Sequence, residues 1–353
     1  MGPQERRVRW GVLGTARIAT AKVIPAMKRG RFCDVVAIAS RDTARAARAA
    51  AESGLGRSYG SYDALLEAPD IDAVYIPLPN HEHVPWAIRA AEAGKHVLVE
   101  KPVALDAGEA ERLLAVRDRT GVKIQEAFMI RAHPQWQRAI GLVRSGRIGD
   151  ARAVHVRFSY RNLDPANIRN IAAAGGGGLM DIGCYIIHSA RWIFDAEPVR
   201  VTASMEIDPQ FGVDRFTRMV LDFGDGREAA GSCATQADPY QRVQILSASG
   251  RIEIEIPFNA PPDRPCRIVV DDGTDIAGVG VETIDLPAAD QYTIQGDRFS
   301  RAILDGAPQP IPLEDAVANM RVIDAVRRSN GSVGQWVSVS HDALAHSPID
   351  PLP

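Results

Sequence analysis

The stretch Val8–Ala19 reads Val-Arg-Trp-Gly-Val-Leu-Gly-Thr-Ala-Arg-Ile-Ala, and it decides the fold of this chain. An apolar strand runs here into a turn of small residues and then into a helix, which is the form of a dinucleotide pyrophosphate site. The turn fits the Gly-x-Gly-x-x-Gly/Ala fingerprint loosely, because Ala16 replaces the second glycine and its methyl group tightens the approach of a pyrophosphate without forbidding it. We expect the pyrophosphate to lie on N–H groups at the start of the helix. The residues predicted to bind it are Gly14, Thr15, Ala16, Arg17 and Ile18.

The pattern that follows this stretch is an alternation of short apolar strands with helical segments. The predicted strands cover residues 9–13, 35–39, 73–76, 97–99 and 122–125, and the helices 18–29, 43–53, 62–67, 84–93 and 107–120. Continuously apolar strands are typical of a parallel sheet that is covered on both faces. The sequence therefore predicts an N-terminal α/β domain over residues 1–125, built as a doubly wound parallel sheet.

Beyond residue 125 the pattern changes to strict alternation. Val154, Val156, Phe158 and Tyr160 alternate with polar residues, and residues 252–256 read Ile-Glu-Ile-Glu-Ile. Such period-two strands predict a mostly antiparallel sheet with one packed and one open face. Helices are predicted over 179–194, near 295–304 and over 313–328, and the last two could return to the first domain. Residues 126–353 are thus expected to form a substrate-binding and oligomerisation domain.

Composition excludes several classes of protein. The chain has 353 residues, 46% of them hydrophobic and 24% charged, and a net charge of −3, which indicates a soluble globular protein without an electrostatic footprint for nucleic acid or an anionic membrane. No apolar run predicts a membrane span or a signal peptide. The four cysteines, Cys33, Cys184, Cys233 and Cys266, lack any metal-ligand spacing, so we expect buried thiols in a reducing cytoplasm and no metal site.

The end of the second predicted strand bears on the choice of cofactor. An NAD site usually has an acidic residue there, which binds both ribose hydroxyls. Here the strand delivers Ser40 and Arg41, which can donate to a 2′-phosphate, whereas Asp34 precedes the strand and so lies at the wrong end. Asp42 could bind a hydroxyl if it turned inward, and Arg41 could be a solvated loop residue. We favour NADP(H) over NAD(H).

The first candidate catalytic group is a lysine at the end of an apolar strand. Lys101 comes just after a strand and before Pro102, where partial desolvation beside an oxidised nicotinamide would make it a usable acid or base. The alternative interpretation is that Lys101 is an ordinary surface lysine that pairs with Glu100.

The second set of candidates lies on the helix over 179–194. Asp181, Tyr185 and His188 share one face of it, an arrangement that can bind a polyol and relay its proton. The alternative is that Asp181 complements the helix dipole and that the other two are core residues. The glycine run 175–178 before the helix favours a ligand site, because glycine permits close backbone approach.

Several blocks together resemble one family. Residues 11–19, residues 76–80, Glu100-Lys101-Pro102, residues 126–131 and residues 176–185 are similar to motifs of the Gfo/Idh/MocA oxidoreductases. The resemblance spans nearly the whole chain, and it is closest to the branch with glucose–fructose oxidoreductase, NADP-dependent D-xylose dehydrogenase and dimeric dihydrodiol dehydrogenase. It implies a Rossmann domain joined to an open-faced sheet domain, through which subunits often pair, so we expect a homodimer or homotetramer.

The resemblance also implies roles for matching positions. Lys101 would transfer the proton beside the nicotinamide, Asp181 would hold substrate hydroxyls, and Tyr185 would be the acid/base residue of this branch. The nicotinamide ribose would be lined by Pro77, Leu78, Asn80 and His83, with Glu100 nearby. The substrate pocket would be bordered by Arg131 and Tyr292, while His188 and residues 161–164 match no family signature and are assigned to specificity.

The expected function is therefore hydride transfer between a nicotinamide cofactor and a cyclic sugar or related polyol. Three alternatives stay open at this point. They are a reductase of ketosugars or dicarbonyls, a redox-neutral glycosidase that uses bound NAD, and a non-catalytic NADP-binding sensor.

Overall fold

The computed structural model describes residues 6–339, which divide into two compact units. Of these residues, the first unit comprises 6–132 together with Asp290–Val317, and the second comprises His133–Ala289 together with 318–339. No helix within the described range is both long enough and apolar enough to cross a membrane.

The first unit contains a parallel sheet of six strands in the order β3-β2-β1-β4-β5-β6. Its strands are β1 (Val8–Leu13), β2 (Cys33–Ala39), β3 (Arg57–Tyr59), β4 (Ala73–Ile76), β5 (His96–Val99) and β6 (Ile124–Glu126). The central strands are almost wholly buried, as expected for a sheet covered on both faces. The predicted doubly wound sheet is confirmed, and the short edge strand β3 is an addition to the prediction.

Helices connect these strands, and side-chain caps fix several of their starts. They are α1 (Ile24–Arg29), α2 (Thr43–Ser53), α3 (Tyr62–Leu66), α4 (Asn80–Glu92) and α5 (Ala107–Thr120). A π-helical turn, Ala19–Val23, precedes α1 and completes the helix predicted after the first strand. Asp106 accepts a hydrogen bond from the Glu109 N–H at 2.8 Å, which satisfies an otherwise unpaired donor at the start of α5.

A helix from late in the chain also belongs to the first unit. The carboxylate of Asp297 in α8 (Gln291–Leu304) accepts hydrogen bonds from the backbone N–H groups of Arg31 and Phe32, just before β2. The indole of Trp10 in β1 donates to Ser300 in the same helix at 3.0 Å. These contacts are long-range in sequence, so no local pattern could reveal them.

The second unit contains a sheet of nine strands in the order β14-β13-β12-β11-β7-β10-β9-β8-β15. All its pairings are antiparallel except that of β7 with β10. The strands are β7 (Ala151–Arg161), β8 (Arg200–Ile207), β9 (Asp214–Gly224), β10 (Arg227–Ala234), β11 (Gln236–Ser247), β12 (Gly250–Ile254), β13 (Cys266–Asp271), β14 (Val281–Leu286) and β15 (Val337–Ser338). The predicted mostly antiparallel sheet is confirmed.

One face of this sheet is packed and the other is open. In β7 the side chains of Val154, Val156 and Phe158 are buried, whereas His155 and Arg157 on the opposite face are exposed. The helices of this unit are α6 (Pro134–Arg144), α7 (Cys184–Phe194) and the C-terminal part of α9 (Leu313–Gly331). A π-helical turn, Leu179–Gly183, leads into α7 and carries Asp181.

Candidate active site

The turn after β1 lies against the ends of two other segments of the first unit. Gly14 has a φ of +113°, and its N–H donates to the Ala39 carbonyl at 2.9 Å. A Cβ at Gly14 would approach Leu78 Cδ2 to 2.8 Å, so the turn needs glycine both for its conformation and for this contact. The turn, the end of β2 and the segment after β4 therefore meet at the carboxyl edge of the parallel sheet, where such folds bind nucleotides.

The three residues after β2 differ in exposure and in hydrogen bonding. Asp42 is the N-cap of α2 and accepts a hydrogen bond from the Arg45 N–H at 2.9 Å, a bond that lowers the pKa of its carboxyl group. Ser40 is 7% exposed, and Arg41 is exposed. The acidic side chain that could have bound ribose hydroxyls is thus engaged at the helix start. Ser40 and Arg41 remain as candidate ligands of the adenosine side.

Tyr62 is a residue of this region that sequence reasoning missed. Its hydroxyl lies 3.8 Å from the position of a Cβ on Gly14, and it interacts with the Arg41 side chain. Burial raises the pKa of the Tyr62 phenol. No spacing in the sequence connects residues 14, 41 and 62, so only the fold identifies the tyrosine.

The segment after β4 is tied to the turn that carries Lys101. His83 is fully buried, and its two ring nitrogens lie 2.8 Å from the carbonyl oxygens of Leu78 and Pro102. Burial lowers the pKa of His83 to about 4, so the ring is neutral near pH 7. Its contacts are with the backbone, which makes it a link between the Leu78 segment and the cis Lys101–Pro102 turn.

Two carboxylates hold this same turn. Glu100 accepts a hydrogen bond from the Tyr75 hydroxyl at 2.6 Å, and Glu126 accepts one from the Val103 N–H at 2.7 Å. Glu126 is 1% exposed and was missed by sequence reasoning as a support of Lys101. The lysine itself is partly buried, so its backbone is fixed on both sides while its side chain keeps some exposure.

Two further candidates of the first unit lie deeper than the sequence suggested. Arg131 belongs to a 3₁₀ turn, Met129–Ala132, and is 6% exposed. Tyr292 in α8 packs partly buried against the core, and burial, with the nearby charge of Glu100, raises the pKa of its phenol.

In the second unit the glycine run makes close contacts with the protein itself. A Cβ at Gly176 would lie 2.5 Å from the Arg169 carbonyl oxygen, and one at Gly177 would lie 2.2 Å from Asp214 Oδ1. Asp214 accepts hydrogen bonds from the Leu179 N–H at 2.7 Å and from the Thr217 hydroxyl at 2.6 Å. The glycines thus admit an internal carboxylate at the start of the π-helical turn, where the sequence interpretation expected a ligand.

Asp181 lies at the centre of a polar cluster that follows this turn. The Tyr160 hydroxyl donates to Asp181 Oδ2 at 2.5 Å, and Arg169 Nε lies 2.9 Å from the same oxygen. Sequence reasoning missed both partners, since Tyr160 was interpreted as a packed position of a period-two strand. Asp181 is 8% exposed.

Tyr185 and His188 are placed by α7 on the packed side of the second sheet. Tyr185 is 4% exposed, and its ring centroid lies 5.7 Å from that of Phe158 and 5.1 Å from that of Phe258. His188 is 1% exposed, and its ring lies 6.3 Å from that of Trp192. Within residues 6–339 no group of three or more His, Cys, Asp or Glu side chains is arranged to hold a metal ion.

Comparisons with known proteins match both units. A family model described as "Oxidoreductase family, NAD-binding Rossmann fold" matches residues 8–128, and one described as "GFO/IDH/MocA C-terminal domain" matches residues 136–253. An uncharacterised oxidoreductase of Rhizobium meliloti is 53% identical over 94% of this chain and 99% of its own length. D-xylose 1-dehydrogenase (NADP(+)) 2 of Haloferax volcanii is 39% identical over 91% of this chain and 96% of its own length.

A solved structure shows the same architecture. The 3-ketoreductase KijD10 from Actinomadura kijaniata, in complex with NADP and TDP-benzene, superposes with a TM-score of 0.86 at 32% identity, covering 92% of this chain and 98% of its own.

Proposed function

Because the chain belongs to the Gfo/Idh/MocA oxidoreductase family, we propose that it is an NADP-dependent dehydrogenase of a cyclic sugar or related polyol. That it is an NAD(P)-dependent oxidoreductase follows from the family and from relatives along almost the full chain. The observation that carries the finer proposal is that Asp181, on the motif that leads to Tyr185, is bonded by a partly buried tyrosine and by an arginine. A fixed carboxylate of this kind suits the binding of sugar hydroxyls.

The residues at the end of β2 fit the phosphorylated cofactor. Asp42 is engaged as the cap of α2, whereas the hydroxyl of Ser40 and the guanidinium of Arg41 are the donor types that a 2′-phosphate requires. The pyrophosphate would be held by Gly14, Thr15, Ala16, Arg17 and Ile18. The nicotinamide side would be lined by Pro77, Leu78, Asn80 and Glu100, with His83 fixing the backbone of that segment.

The proposed mechanism assigns proton transfer to the protein. The chemistry that the nicotinamide supplies when bound is the acceptance of a hydride. Lys101 and Tyr185 take the proton of the reacting hydroxyl, and Asp181 orients the sugar through its other hydroxyls. Arg131, His188 and Tyr292 are proposed to shape the substrate site. Normal turnover by Lys101→Met or Tyr185→Phe would contradict these roles.

A second candidate is the same chemistry in the opposite direction, the reduction of a ketosugar. The similarity to the 3-ketoreductase of Actinomadura kijaniata favours it. The residues serve both directions, because a group that accepts a proton in oxidation returns it in reduction.

The test is the absorbance of reduced nicotinamide, measured with purified protein, NADP⁺ or NAD⁺, and a panel of aldoses and inositols. Reduction of NADP⁺ by one pyranose supports the proposal, and faster reduction of NAD⁺ keeps the reaction but contradicts the cofactor preference. If protein that is shown to bind NADP⁺ reduces neither cofactor with any sugar of the panel, the oxidative proposal is contradicted. Ketosugars with NADPH then test the second candidate.

We also propose that the protein acts in the cytoplasm as a homodimer or homotetramer through the open face of the second sheet. A row of aligned residues crosses this face, with Arg218 opposite Ser232, Ser232 opposite Arg157, and Arg157 opposite Arg242. The proposal rests on the exposure of this face in a single copy of the chain, where His155 and Arg157 are exposed. Sedimentation of the wild type and of Arg157→Glu tests this, since a monomeric wild type contradicts it.

A further inference from the structure

Resting on the proposed function, we infer that Tyr160 and Arg169 are positioning residues, which hold Asp181 in its charged form and in one orientation for the hydroxyls of the substrate. The sequence analysis assigned neither residue to the site. Their role rests on the bonds that they make to Asp181 and on the way in which the fold fixes each of them.

The two donors converge on a single oxygen. Tyr160 is near the end of β7, Arg169 lies in a short 3₁₀ turn, Ile168–Asn170, and Asp181 lies in the π-helical turn before α7. The phenol oxygen is 2.5 Å and the guanidinium Nε 2.9 Å from Asp181 Oδ2. Because both donors bind Oδ2, they restrict the position and orientation of the carboxylate.

The backbone of Arg169 is itself anchored to the turn that precedes Asp181. Its carbonyl accepts a hydrogen bond from the Gly177 N–H at 2.8 Å, and its N–H donates to Asn167 Oδ1 at 3.1 Å. Asn170, which is 4% exposed, donates to the Asp164 carbonyl at 2.9 Å. The guanidinium is therefore delivered to Asp181 by a segment bonded to the glycine run, even though its side chain is 42% exposed.

The charges in this cluster favour an ionised aspartate. Burial, together with the charge of Asp181, raises the pKa of the Tyr160 phenol well above its usual range, so the hydroxyl remains a donor. The guanidinium is cationic at every relevant pH. Two buried thiols lie beside the cluster: the Cys184 thiol donates to the Asp181 carbonyl at 3.6 Å, and burial raises the pKa of the Cys233 thiol, so Cys233 adds no negative charge. Hydrogen bonds to a carboxylate stabilise its charged form, and charged-group bonds are the stronger ones.

The rival explanation is that the two bonds only attach the 162–175 segment to the helix. If the link were purely structural, removing it would lower the thermal midpoint and would change all of the kinetic constants or none of them. A positioning role predicts a selective loss, because a displaced Asp181 weakens the handling of the sugar and leaves the binding of NADP⁺ intact.

The experiment compares Tyr160→Phe, Arg169→Met and Arg169→Lys with the wild type on the sugar of fastest turnover. Tyr240→Phe, at an exposed tyrosine of β11, is the matched control. We expect kcat/KM for the sugar to fall about 10- to 100-fold in Tyr160→Phe, with KM for NADP⁺ and the thermal midpoint close to wild type. Arg169→Lys, which keeps the charge and should fold because the side chain is partly exposed, is expected to retain more activity than Arg169→Met.

A double variant completes the test. In the Asp181→Asn background, Tyr160→Phe should cause no further loss, because it acts through the carboxylate that is already gone. If the wild type turns over a sugar and Tyr160→Phe has the same kcat/KM, the inference is overturned and the proposed function is not. The same holds if Tyr160→Phe lowers kcat/KM equally in the wild-type and Asp181→Asn backgrounds. A wild type that binds NADP⁺ and turns over no sugar or ketosugar overturns the proposed function and this inference with it.

Discussion

The imidazole of His83 joins the Leu78 segment to Pro102, with each ring nitrogen 2.8 Å from a backbone carbonyl oxygen. Pro102 directly follows Lys101, so the ring couples the predicted nicotinamide segment to the predicted proton-transfer residue. A neutral ring can donate to only one of the two carbonyls at a time, and the low pKa of about 4, caused by burial, keeps it neutral near pH 7.

We therefore predict that His83→Ala impairs cofactor handling as well as stability. Loss of a buried ring that contacts two carbonyls should lower the free energy of unfolding by about 1–3 kcal/mol. It should also lower kcat/KM for NADP⁺ by about tenfold, because Leu78 and Lys101 lose their common support.

The control for this prediction is His96→Ala. His96 accepts a hydrogen bond from the Lys123 N–H at 2.9 Å at the start of β5, away from the carboxyl edge of the sheet. Its loss should affect denaturant unfolding and leave kcat/KM for NADP⁺ unchanged. Equal kinetic losses in both variants would show that His83 has no special link to the cofactor.

Gly177 should not tolerate a side chain. Its φ of +114° disfavours any other residue, and a Cβ would lie 2.2 Å from Asp214 Oδ1. Gly212 has a φ of +67° with open space around its Cβ position, so Gly212→Ala carries the backbone penalty alone. We expect urea unfolding to show a loss of about 1 kcal/mol for Gly212→Ala and a further 1–3 kcal/mol or so for Gly177→Ala. Equal losses would mean that the contact with Asp214 is not tight.

Asp214 should give the protein a characteristic pH dependence. Burial raises the pKa of its carboxyl group from 3.8 to about 6, so between these values the folded protein holds a proton that the unfolded chain has released. Stability from this group is therefore present at low pH and is lost as pH rises through about 6. The unfolding free energy of the wild type, relative to Asp214→Asn, should fall by about 1.4 kcal/mol per pH unit across this window. A flat difference would show that the folded protein keeps the carboxylate ionised.

Arg41 should determine the preference for the phosphorylated cofactor. Arg41→Ala is expected to lower kcat/KM for NADP⁺ by about 10- to 100-fold and to leave kcat/KM for NAD⁺ nearly unchanged, because only the former has a 2′-phosphate to pair. Arg45→Ala, in the first turn of α2, is the control, since Arg45 bonds Asp42 through its backbone N–H and the substitution keeps that bond. Parallel losses with both cofactors would assign Arg41 to the adenine or to the fold instead.

The sequence was sufficient to predict the elements whose pattern is contained in a short stretch of the chain. The turn at Gly14 and the period-two strand β7 are each contained in about a dozen residues, and their patterns follow directly from helix and strand geometry. Both sheets were predictable for this reason. The return of α8 to the first unit was raised from the sequence, but its contacts could not be identified there, because Asp297 reaches the N–H groups of Arg31 and Phe32 across most of the chain.

The hydrogen-bond partners of the site residues could not be predicted either, because they also come from separate parts of the chain. Tyr160, Arg169 and Asp181 come from a strand, a 3₁₀ turn and a π-helical turn, and no fixed spacing relates them. The glycine run was recognised as a place of close approach, but a sequence cannot tell whether a ligand or an internal carboxylate is the neighbour. Here the neighbour of Gly177 is Asp214.

The most direct test of the proposed function follows the hydride itself. The sugar with the fastest turnover is supplied with deuterium at every carbon, together with NADP⁺, and the reduced cofactor is analysed by mass spectrometry. Our account predicts that each molecule of reduced cofactor carries one deuterium, in an amount equal to the oxidised sugar formed. Reduced cofactor without deuterium, or oxidised sugar without reduced cofactor, would contradict it.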